Sequence, residues 1–338
     1  MASGQMREFY IMKQILSELI EHRSLSKETA KKVLVDLASA KYNPSQMSAF
    51  MTVYMMRSIT IDELQGFRDA MLELCIPIRF DEPVMDVCGT GGDGKNTFNI
   101  STLSSFVVAA AGQPVSKHGN VGVSSVCGSS NLLQHFGYEF TNNFDELRRS
   151  LDRSNIFFMH APLFHPAMKN VGPIRKELGV KTFFNMLGPM VNPAFPPRQL
   201  VGVFSLELAR LYGYLYQNTE KDFVILHDLQ GYDEISLTGY FKMYTNSGEK
   251  IIEPSDLGLP QVQADELRGG ETVEDSANIF LSILEGKGTE AQNSVVIANA
   301  GMSLYVGNQQ AGIQVAIEKA RESLTSGKAL STFKKFLN

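Results

Sequence analysis

Several features are scarce in this 338-residue sequence, and each scarcity excludes a class of protein. Its three cysteines, Cys75, Cys88 and Cys127, are odd in number and lack the spacing of a metal site, which argues against a disulfide framework or a structural zinc. No apolar stretch reaches the roughly 18 residues of a membrane-spanning helix, and the N-terminus lacks the apolar core of a signal peptide. We therefore expect a cytoplasmic protein.

A basic surface is also missing. The formal net charge is −5 and the calculated pI is about 5.8, so the overall charge does not suggest a nucleic-acid partner. Hydrophobic residues make up 43% of the chain, which suits a soluble protein of two domains, or of one large domain with an appendage. Any site for an anion must therefore be built locally.

The most informative stretch is a glycine-rich segment that follows a short apolar run, Val84–Cys88, which reads as a buried strand. Four glycines follow within six residues: Gly89, Gly91, Gly92 and Gly94. Such a bend is bare of side chains, so its backbone N–H groups can approach a ligand closely. Polar capping residues then precede an apolar segment that Gly112 would end: Asn99, Ser101 and Thr102. Strand, glycine loop and helix N-terminus together predict an anion site, most often one for phosphate.

Two better-known glycine motifs fit this segment less well. The dinucleotide fingerprint requires an acidic residue about 20 positions downstream, but no Asp or Glu occurs from Gly94 to Tyr138. The P-loop requires Ser or Thr after its lysine, and Asn96 follows Lys95 here. An ordinary glycine turn is the remaining alternative. The acid-free interval, which contains Lys95 and Lys117, argues against it because it leaves a local positive balance.

The pattern of apolar residues along the chain changes near Pro83. Before it, apolar periodicity and capping patterns predict about four short helices, and the methionine stripe Met47, Met51, Met55 and Met56 predicts a helix–helix or subunit contact. After it, short apolar runs alternate with helices, the pattern of a mostly parallel sheet. The expected strands are 84–88, 114–117, 156–160, 199–204 and 223–227, with one or two more in 235–245. The expected later helices are 101–111, 129–136, 144–153, 276–287, 291–306 and 310–326.

Two further polar segments follow predicted strands, where ligands bind in open parallel sheets. Lys117-His118-Gly119-Asn120 leads into a loop rich in serine, which could wrap an oxygenated ligand or simply be a surface loop. Asp233-Glu234 offers hard oxygen ligands for Mg²⁺, although such a pair is more often solvated surface. Arg175 could face a carboxylate or merely aid solubility.

Taken together, these motifs resemble the signature of the anthranilate phosphoribosyltransferase family, and the likeness covers nearly the whole chain. The segments that carry it are Gly89–Asp93, Asn99–Thr102, Lys117–Asn120, Ser129, Arg175, Asp233-Glu234, Phe184–Pro193 and Leu267–Gly270. The resemblance implies a small N-terminal helical domain and a larger α/β domain with a mostly parallel central sheet, related to the pyrimidine nucleoside phosphorylases. It places the helical domain at 1–77 plus a crossover near 166–190, and the α/β domain at 80–165 and 191–338. It also implies a homodimer through the helical domain.

The resemblance further implies an activity and a set of contacts. The enzyme would transfer the phosphoribosyl group of phosphoribosyl pyrophosphate to anthranilate, with two Mg²⁺ per active site and no catalytic side chain. Residues matched to the phosphoribosyl pyrophosphate contacts are Gly89, Gly92, Asp93, Thr97, Asn99, Ile100, Ser101, Thr102, Lys117, His118, Gly119, Asn120, Ser124, Ser125 and Ser129. Residues matched to the metal are Ser101, Asp233 and Glu234, and those matched to anthranilate are Asn120 and Arg175.

This sequence departs from the family pattern at two positions. Val121 stands where many members have arginine, and Asn131 stands where aspartate is common. The lost positive charge could weaken the affinity for phosphate. Two other functions stay open at this point: a pyrimidine nucleoside phosphorylase, and a non-catalytic relative that binds nucleic acid. The second would be expected to have a basic surface and to lack the acidic pair, whereas this chain is acidic and has both carboxylates.

Overall fold

A computed structural model describes residues 2–122 and 126–338. The helices are α1 (Ala2–Ile20), α2 (Lys27–Ala38), α3 (Pro44–Met56), α4 (Ile61–Leu74), α5 (Ile100–Ala110), α6 (Ser129–His135), α7 (Phe144–Ser154), α8 (Ala161–Phe164), α9 (Gly172–Leu178), α10 (Leu206–Gln217), α11 (Val273–Leu284), α12 (Glu290–Gly307), α13 (Ile313–Thr325) and α14 (Lys328–Leu337). The strands are β1 (Met85–Gly89), β2 (Val115–Gly119), β3 (Ile156–His160), β4 (Arg198–Gly202), β5 (Asp222–Asp228), β6 (Phe241–Thr245) and β7 (Gly248–Ile252). None of the helices in the described ranges has both the length and the apolar character needed to cross a bilayer.

The chain divides into two compact units. The first, helical unit contains the residues up to Pro77 together with Pro162–Pro193, and the second contains Ile78–Ala161 and Ala194–Asn338. In the second unit the described strands form one sheet in the order β3-β2-β1-β4-β5-β6-β7. The first five strands in this order run parallel, β6 pairs antiparallel with β5, and β7 pairs antiparallel with β6. This confirms the expected fold class, a helical part plus a mostly parallel α/β part.

One feature of the sheet decides where a ligand can bind. From β1 the chain passes to β2 on one side, and it later returns to β4 on the other side of β1. The direction of winding therefore reverses between β1 and β4, and open α/β sheets bind ligands outside the carboxyl ends of the strands at such a point. Helices α5 and α12 cover one face of the sheet, where their apolar side chains form the core with Val87, Leu200 and Val224.

The sequence predicted most elements to within three residues and missed some. Helices α2, α3 and α4 begin directly after Ser26, Asn43 and Thr60, whose side chains cap them, as the capping patterns of this region predict. The expected strand content of 235–245 is wrong in its first half, because only Phe241–Thr245 is a strand. Five elements lie outside the expected ranges: α8, α9, α10, β7 and α14. Strand β7 lies at the sheet edge and is exposed along most of its length, so it lacks the apolar alternation that marks a strand in sequence.

The carboxylate of Glu63 is fully buried in the helical unit. Its Oε1 accepts hydrogen bonds from the backbone N–H of Leu25 at 3.0 Å and the Tyr54 hydroxyl at 2.9 Å, and it pairs with the guanidinium of Arg57. Its Oε2 accepts from the backbone N–H and the hydroxyl of Thr60 at 2.9 and 3.0 Å, which completes the capping box of α4. One side chain thus joins the start of α4 to two other segments.

Replacing this carboxylate should destabilise the protein strongly. Glu63→Ala leaves the buried Arg57 without its anionic partner, so we expect the free energy of unfolding to fall by about 3–5 kcal/mol. Urea denaturation followed by circular dichroism measures this change. The matched control is Glu73→Ala, which removes an exposed ion pair with Lys31 and should cost less than about 1 kcal/mol. Equal losses in the two variants would contradict the assigned role of Glu63.

Candidate active site

The site begins where β1 and β4 end side by side. Gly89 and Gly202 are register partners at the carboxyl ends of these strands, at the point where the winding of the sheet reverses. The chain leaves β1 through three glycines with positive φ, a conformation that L side chains disfavour: Gly91, Gly92 and Gly94. The predicted bare-backbone loop therefore exists and lies at the expected edge of the sheet.

Asp233 fills the gap left by the paired glycines. A Cβ on Gly89 would lie 2.6 Å from Oδ2 of Asp233, and a Cβ on Gly202 would overlap the carbonyl oxygen of the same residue. The Thr90 hydroxyl donates to Oδ2 of Asp233 at 3.3 Å, and the backbone N–H of Gly91 donates to the same oxygen. Glycine at both strand ends is therefore required for the buried carboxylate to reach the glycine loop.

Glu234 connects this loop to the start of α5 and to a buried lysine. Its Oε1 accepts a hydrogen bond from the backbone N–H of Ser101 at 3.3 Å. Lys117 is buried, and its Nζ donates to the carbonyl of Val87 at 2.5 Å and to Oγ of Ser101 at 3.2 Å. Two carboxylates, a hydroxyl and an ammonium group are thus held around one short stretch of backbone.

The acidic pair, Asp233 and Glu234, has too little positive charge nearby to balance its two carboxylates. Burial raises the pKa of Asp233, and the neighbouring carboxylate of Asp93 raises it further. Burial also raises the pKa of Glu234; Asp233 adds to that rise, and Lys117 opposes it. Like charges brought together out of water favour protonation unless a cation compensates them.

This donor set fits a hard divalent cation. Carboxylate and hydroxyl oxygens are the ligands that Mg²⁺ prefers, and Mg²⁺ usually completes its shell with water and substrate phosphates. Within residues 2–122 and 126–338, no three Asp, Glu, His or Cys side chains are grouped to hold a metal by themselves. A cation at Asp233 and Glu234 would therefore need further oxygens from a bound ligand.

The other predicted residues of the glycine loop and α5 surround this centre. Thr97 bridges to Arg268, so the loop is tied to the segment that contains the Leu267–Gly270 motif. The expected capping role of Asn99 is wrong in its detail: its side chain makes no cap hydrogen bond and instead donates to the carbonyl of Cys127 at 2.9 Å. Ile100 and Thr102 are buried in α5.

The second loop leaves β2 beside the first. His118 and Gly119 lie within β2, which ends two residues later than expected, and Asn120 follows it. The carbonyl of Asn120 accepts hydrogen bonds from the backbone N–H of Ser130 at 3.1 Å and from the Ser129 hydroxyl at 3.4 Å. This arrangement folds the start of α6 back over the end of β2.

Asn131 joins the two sides of this second loop. Its Oδ1 accepts hydrogen bonds from the backbone N–H of Gly122 at 2.8 Å and of Gly128 at 3.1 Å. The amide oxygen therefore accepts both bonds at a position where aspartate is common in the family pattern, while the side chain of Val121 is exposed. The predicted contacts Ser124 and Ser125 lie outside the described residues.

Arg175 belongs to the helical unit, where it lies on α9. Its guanidinium carbon is 5.0 Å from the centre of the Phe184 ring, so a cation–π contact orients the group. Asp93, also predicted, lies on the glycine loop, where its carboxylate accepts from the backbone N–H of Lys95 at 2.9 Å.

Two residues of the site were not predicted from sequence. Gly202 could have been noticed, because an isolated glycine inside a strand pattern signals a close backbone approach. Asn299 is on α12, far from every motif, and it contacts the backbone beside the acidic pair through its amide. No local sequence signal points to that contact.

Comparison with known proteins places these features in a family. Residues 81–330 match the model of the glycosyl transferase family, a/b domain, and residues 13–75 match that of the glycosyl transferase family, helical bundle domain. Anthranilate phosphoribosyltransferase from Flavobacterium johnsoniae is 60% identical over 325 residues, and that from Flavobacterium psychrophilum is 59% identical over 325 residues. Both alignments cover 96% of this chain and 98% of the relative.

Solved structures give the same result. Anthranilate phosphoribosyltransferase from Thermus thermophilus superposes with a TM-score of 0.88 at 30% identity, covering 95% of this chain and 98% of the other. The Saccharomyces cerevisiae enzyme in complex with phosphoribosyl pyrophosphate and Mg superposes with a TM-score of 0.89 at 25% identity, covering 97% of each chain. The same yeast enzyme has a structure in complex with 4-fluoroanthranilate, with a TM-score of 0.86 at 25% identity and 97% coverage of each chain.

The gap between the paired glycines gives a direct test of this geometry. Gly202→Ala places a methyl group against the Asp233 carbonyl, so we expect the free energy of unfolding to fall by about 1–3 kcal/mol. Chemical denaturation measures the loss. Gly172→Ala is the matched control, because its Cβ would meet nothing within 4 Å, and its stability should stay within about 0.5 kcal/mol of the parent. If Gly202→Ala behaved like this control, Asp233 would not fill the gap as described.

Proposed function

Because the chain belongs to the anthranilate phosphoribosyltransferase family, we propose that it catalyses the reaction of that family in tryptophan biosynthesis. The enzyme transfers the 5-phosphoribosyl group from phosphoribosyl pyrophosphate to the amine of anthranilate. The products are N-(5-phosphoribosyl)anthranilate and pyrophosphate. It is therefore a glycosyltransferase that forms a bond between nitrogen and the anomeric carbon.

One observation carries this proposal: the acidic pair lies against a bare-backbone loop at the point where the winding of the sheet reverses. Asp233 occupies the gap between Gly89 and Gly202, and Glu234 contacts the first turn of α5. A sugar diphosphate carries many anionic oxygens and normally travels with Mg²⁺, so it needs both backbone donors and acidic metal ligands. This site offers both kinds of group side by side.

Departure of pyrophosphate is the difficult step, because negative charge accumulates on the leaving group. Lys117 is suited to stabilise this charge, since its ammonium group is already fixed by Val87 and Ser101 and needs little reorganisation. The backbone N–H groups of the glycine loop are suited to the same task. The N-cap residue of α5, Asn99, makes no side-chain cap, and in the first turn the N–H of Ser101 donates to the carboxylate of Glu234, so this helix end already attracts an anionic group.

The contacts with phosphoribosyl pyrophosphate follow the family resemblance. We assign them to Gly89, Gly92, Asp93, Thr97, Asn99, Ile100, Ser101, Thr102, Lys117, His118, Gly119, Asn120, Ser124, Ser125 and Ser129. Ser101, Asp233 and Glu234 would hold two Mg²⁺ per site, which would neutralise charge on the pyrophosphate. The buried, mutually repelling carboxylates support this assignment.

We assign anthranilate to Asn120 and Arg175. The planar guanidinium of Arg175 can hold a carboxylate with two hydrogen bonds, and its contact with Phe184 restricts its orientation. No side chain is proposed as a catalytic acid or base. An arylamine that attacks a centre with oxocarbenium character can release its proton late, so a strong base is not required.

The assembly and the cellular setting extend the proposal. We propose a homodimer formed through the helical domain, at 1–77 with the crossover near 166–190, and an α/β domain that binds phosphoribosyl pyrophosphate. Exposed apolar side chains on α1 and α3 support this interface: Phe9, Tyr10, Ile20, Met55 and Met56. We further propose a cytoplasmic enzyme that does not bind nucleic acid, consistent with the net charge of −5.

The activity itself is tested by mixing the protein with Mg²⁺, phosphoribosyl pyrophosphate and anthranilate and recording the loss of anthranilate fluorescence. Asp233→Ala and Glu234→Ala should each lower kcat/KM on the order of 100-fold, because each removes charge that positions the metal and the leaving group. Asp265→Ala, which alters an exposed carboxylate, should leave the rate unchanged.

Several outcomes would contradict the proposal. Near-normal turnover of Asp233→Ala and Glu234→Ala at saturating Mg²⁺ would overturn the metal assignment. Failure of the parent protein to consume anthranilate, together with phosphate-dependent cleavage of a pyrimidine nucleoside, would favour the related phosphorylases. Binding of nucleic acid without either activity would favour a non-catalytic relative.

A further inference from the structure

The backbone that carries the acidic pair belongs to no helix or strand. Residues 229–240, between β5 and β6, are irregular, although Ile235, Ser236 and Leu237 are fully buried. Buried backbone N–H and C=O groups need hydrogen-bond partners, which a helix or a sheet would otherwise provide. Here they come from isolated backbone contacts, such as the N–H of Val262 to the carbonyl of Leu237 at 3.0 Å, and from side chains of other segments.

Asn299 supplies these partners at Ile235, the residue directly after the acidic pair. Its Oδ1 accepts from the backbone N–H of Ile235 at 3.0 Å, and its Nδ2 donates to the backbone carbonyl of the same residue at 2.9 Å. The amide of Asn299 thus bonds to both polar groups of one residue, as a neighbouring strand would. Through its second hydrogen, Nδ2 also donates to the backbone carbonyl of Val295 at 2.8 Å.

The contact fixes the orientation of the amide. Reversing it would point Nδ2 at the N–H of Ile235 and Oδ1 at two carbonyl oxygens, replacing three attractive contacts by repulsive ones. Asn299 is also fully buried near the middle of α12, where asparagine is a poor helix former. A buried asparagine in such a place needs a compensating interaction, and the bonds to Ile235 provide it.

The neighbouring backbone is strained, so these contacts are needed to hold it. Leu237 has φ of 59°, in the left-handed region that a bulky residue rarely adopts. Such a conformation persists only where the surroundings determine it, and such residues cluster at functional sites. Next to it, Asp228 accepts from the backbone N–H of Ser236 at 3.1 Å and from the hydroxyl of Ser236 at 2.6 Å.

We propose that Asn299 is a positioning residue that holds the backbone of the acidic pair in the geometry required to bind Mg²⁺ with phosphoribosyl pyrophosphate. Without it, two adjacent carboxylates that repel each other would be attached to a segment lacking a regular hydrogen-bond partner. The functional part of this inference rests on the proposed function, whereas its structural part concerns the ligand-free protein alone.

The test compares Asn299→Ala with Ser303→Ala by amide hydrogen exchange without ligand. Ser303 is a matched control because it is buried on the same helix one turn later and its hydroxyl donates to the backbone carbonyl of Asn299 at 2.8 Å, away from the amide that contacts Ile235. In Asn299→Ala, exchange in peptides that cover residues 231–237 should accelerate about tenfold or more, since a buried hydrogen bond is lost. In Ser303→Ala it should stay at the parent rate.

A kinetic measurement tests the consequence for the metal. In Asn299→Ala, the Mg²⁺ concentration that gives half-maximal turnover should rise about tenfold, while the KM for anthranilate should change little. If Asn299→Ala does not fold, Asn299→Ser takes its place in both measurements. Unchanged exchange at 231–237, or a Mg²⁺ requirement equal to that of Ser303→Ala, would overturn the proposal. Should the parent protein have no activity, the proposed function fails while the exchange data still decide the structural part.

Discussion

The site depends on one packing constraint: a carboxylate must fit between the ends of two adjacent parallel strands. Backbones in a sheet lie too close for this unless both register partners lack a side chain. Gly89 and Gly202 meet that condition, and Asp233 enters the space. From there it accepts the N–H of Gly91, so the glycine loop and the loop after β5 become one structure. The two parts of the site are 142 residues apart in sequence, and the side chain of Asp233 joins them directly.

Burying that carboxylate has an electrostatic cost that the protein alone does not remove. Donors from Thr90 and Gly91 satisfy one oxygen of Asp233, but Asp93 and Glu234 add negative charge nearby. Lys117 is the main opposing charge acting on Glu234. Buried charges without full compensation cost stability, so the arrangement makes sense as preparation for a cationic ligand. At this edge of the sheet the same carboxylates therefore lower the stability of the ligand-free protein and prepare it to bind a cation.

The sequence predicted those parts of the site whose signals are local. The glycine loop after a strand, the capped helices of the first unit and the positions of the parallel strands all have short-range patterns, and the structure confirms them. The segment 235–240 has the apolar residues of a strand, but its partner is the side chain of Asn299 and not another strand. Asn99 is a residue type that often caps helices, yet its side-chain amide donates instead to the carbonyl of Cys127, 28 residues away in sequence. Contacts of this kind depend on how the whole chain folds, so no window of sequence contains them.

A site of this kind does not require a reactive nucleophile or base for the proposed reaction. Moving a phosphoribosyl group requires that charge on pyrophosphate be stabilised at the moment of departure, and fixed charges do this without reorganising. Lys117 is held by a backbone carbonyl and a hydroxyl, so its ammonium group cannot follow the substrate. The substrate must instead be positioned against Lys117. Because the acidic pair would hold the substrate through Mg²⁺, that pair must have a fixed position as well. The rigidity of the 233–237 backbone, supplied by Asn299 and Asp228, is therefore as much a condition of the chemistry as the charges themselves.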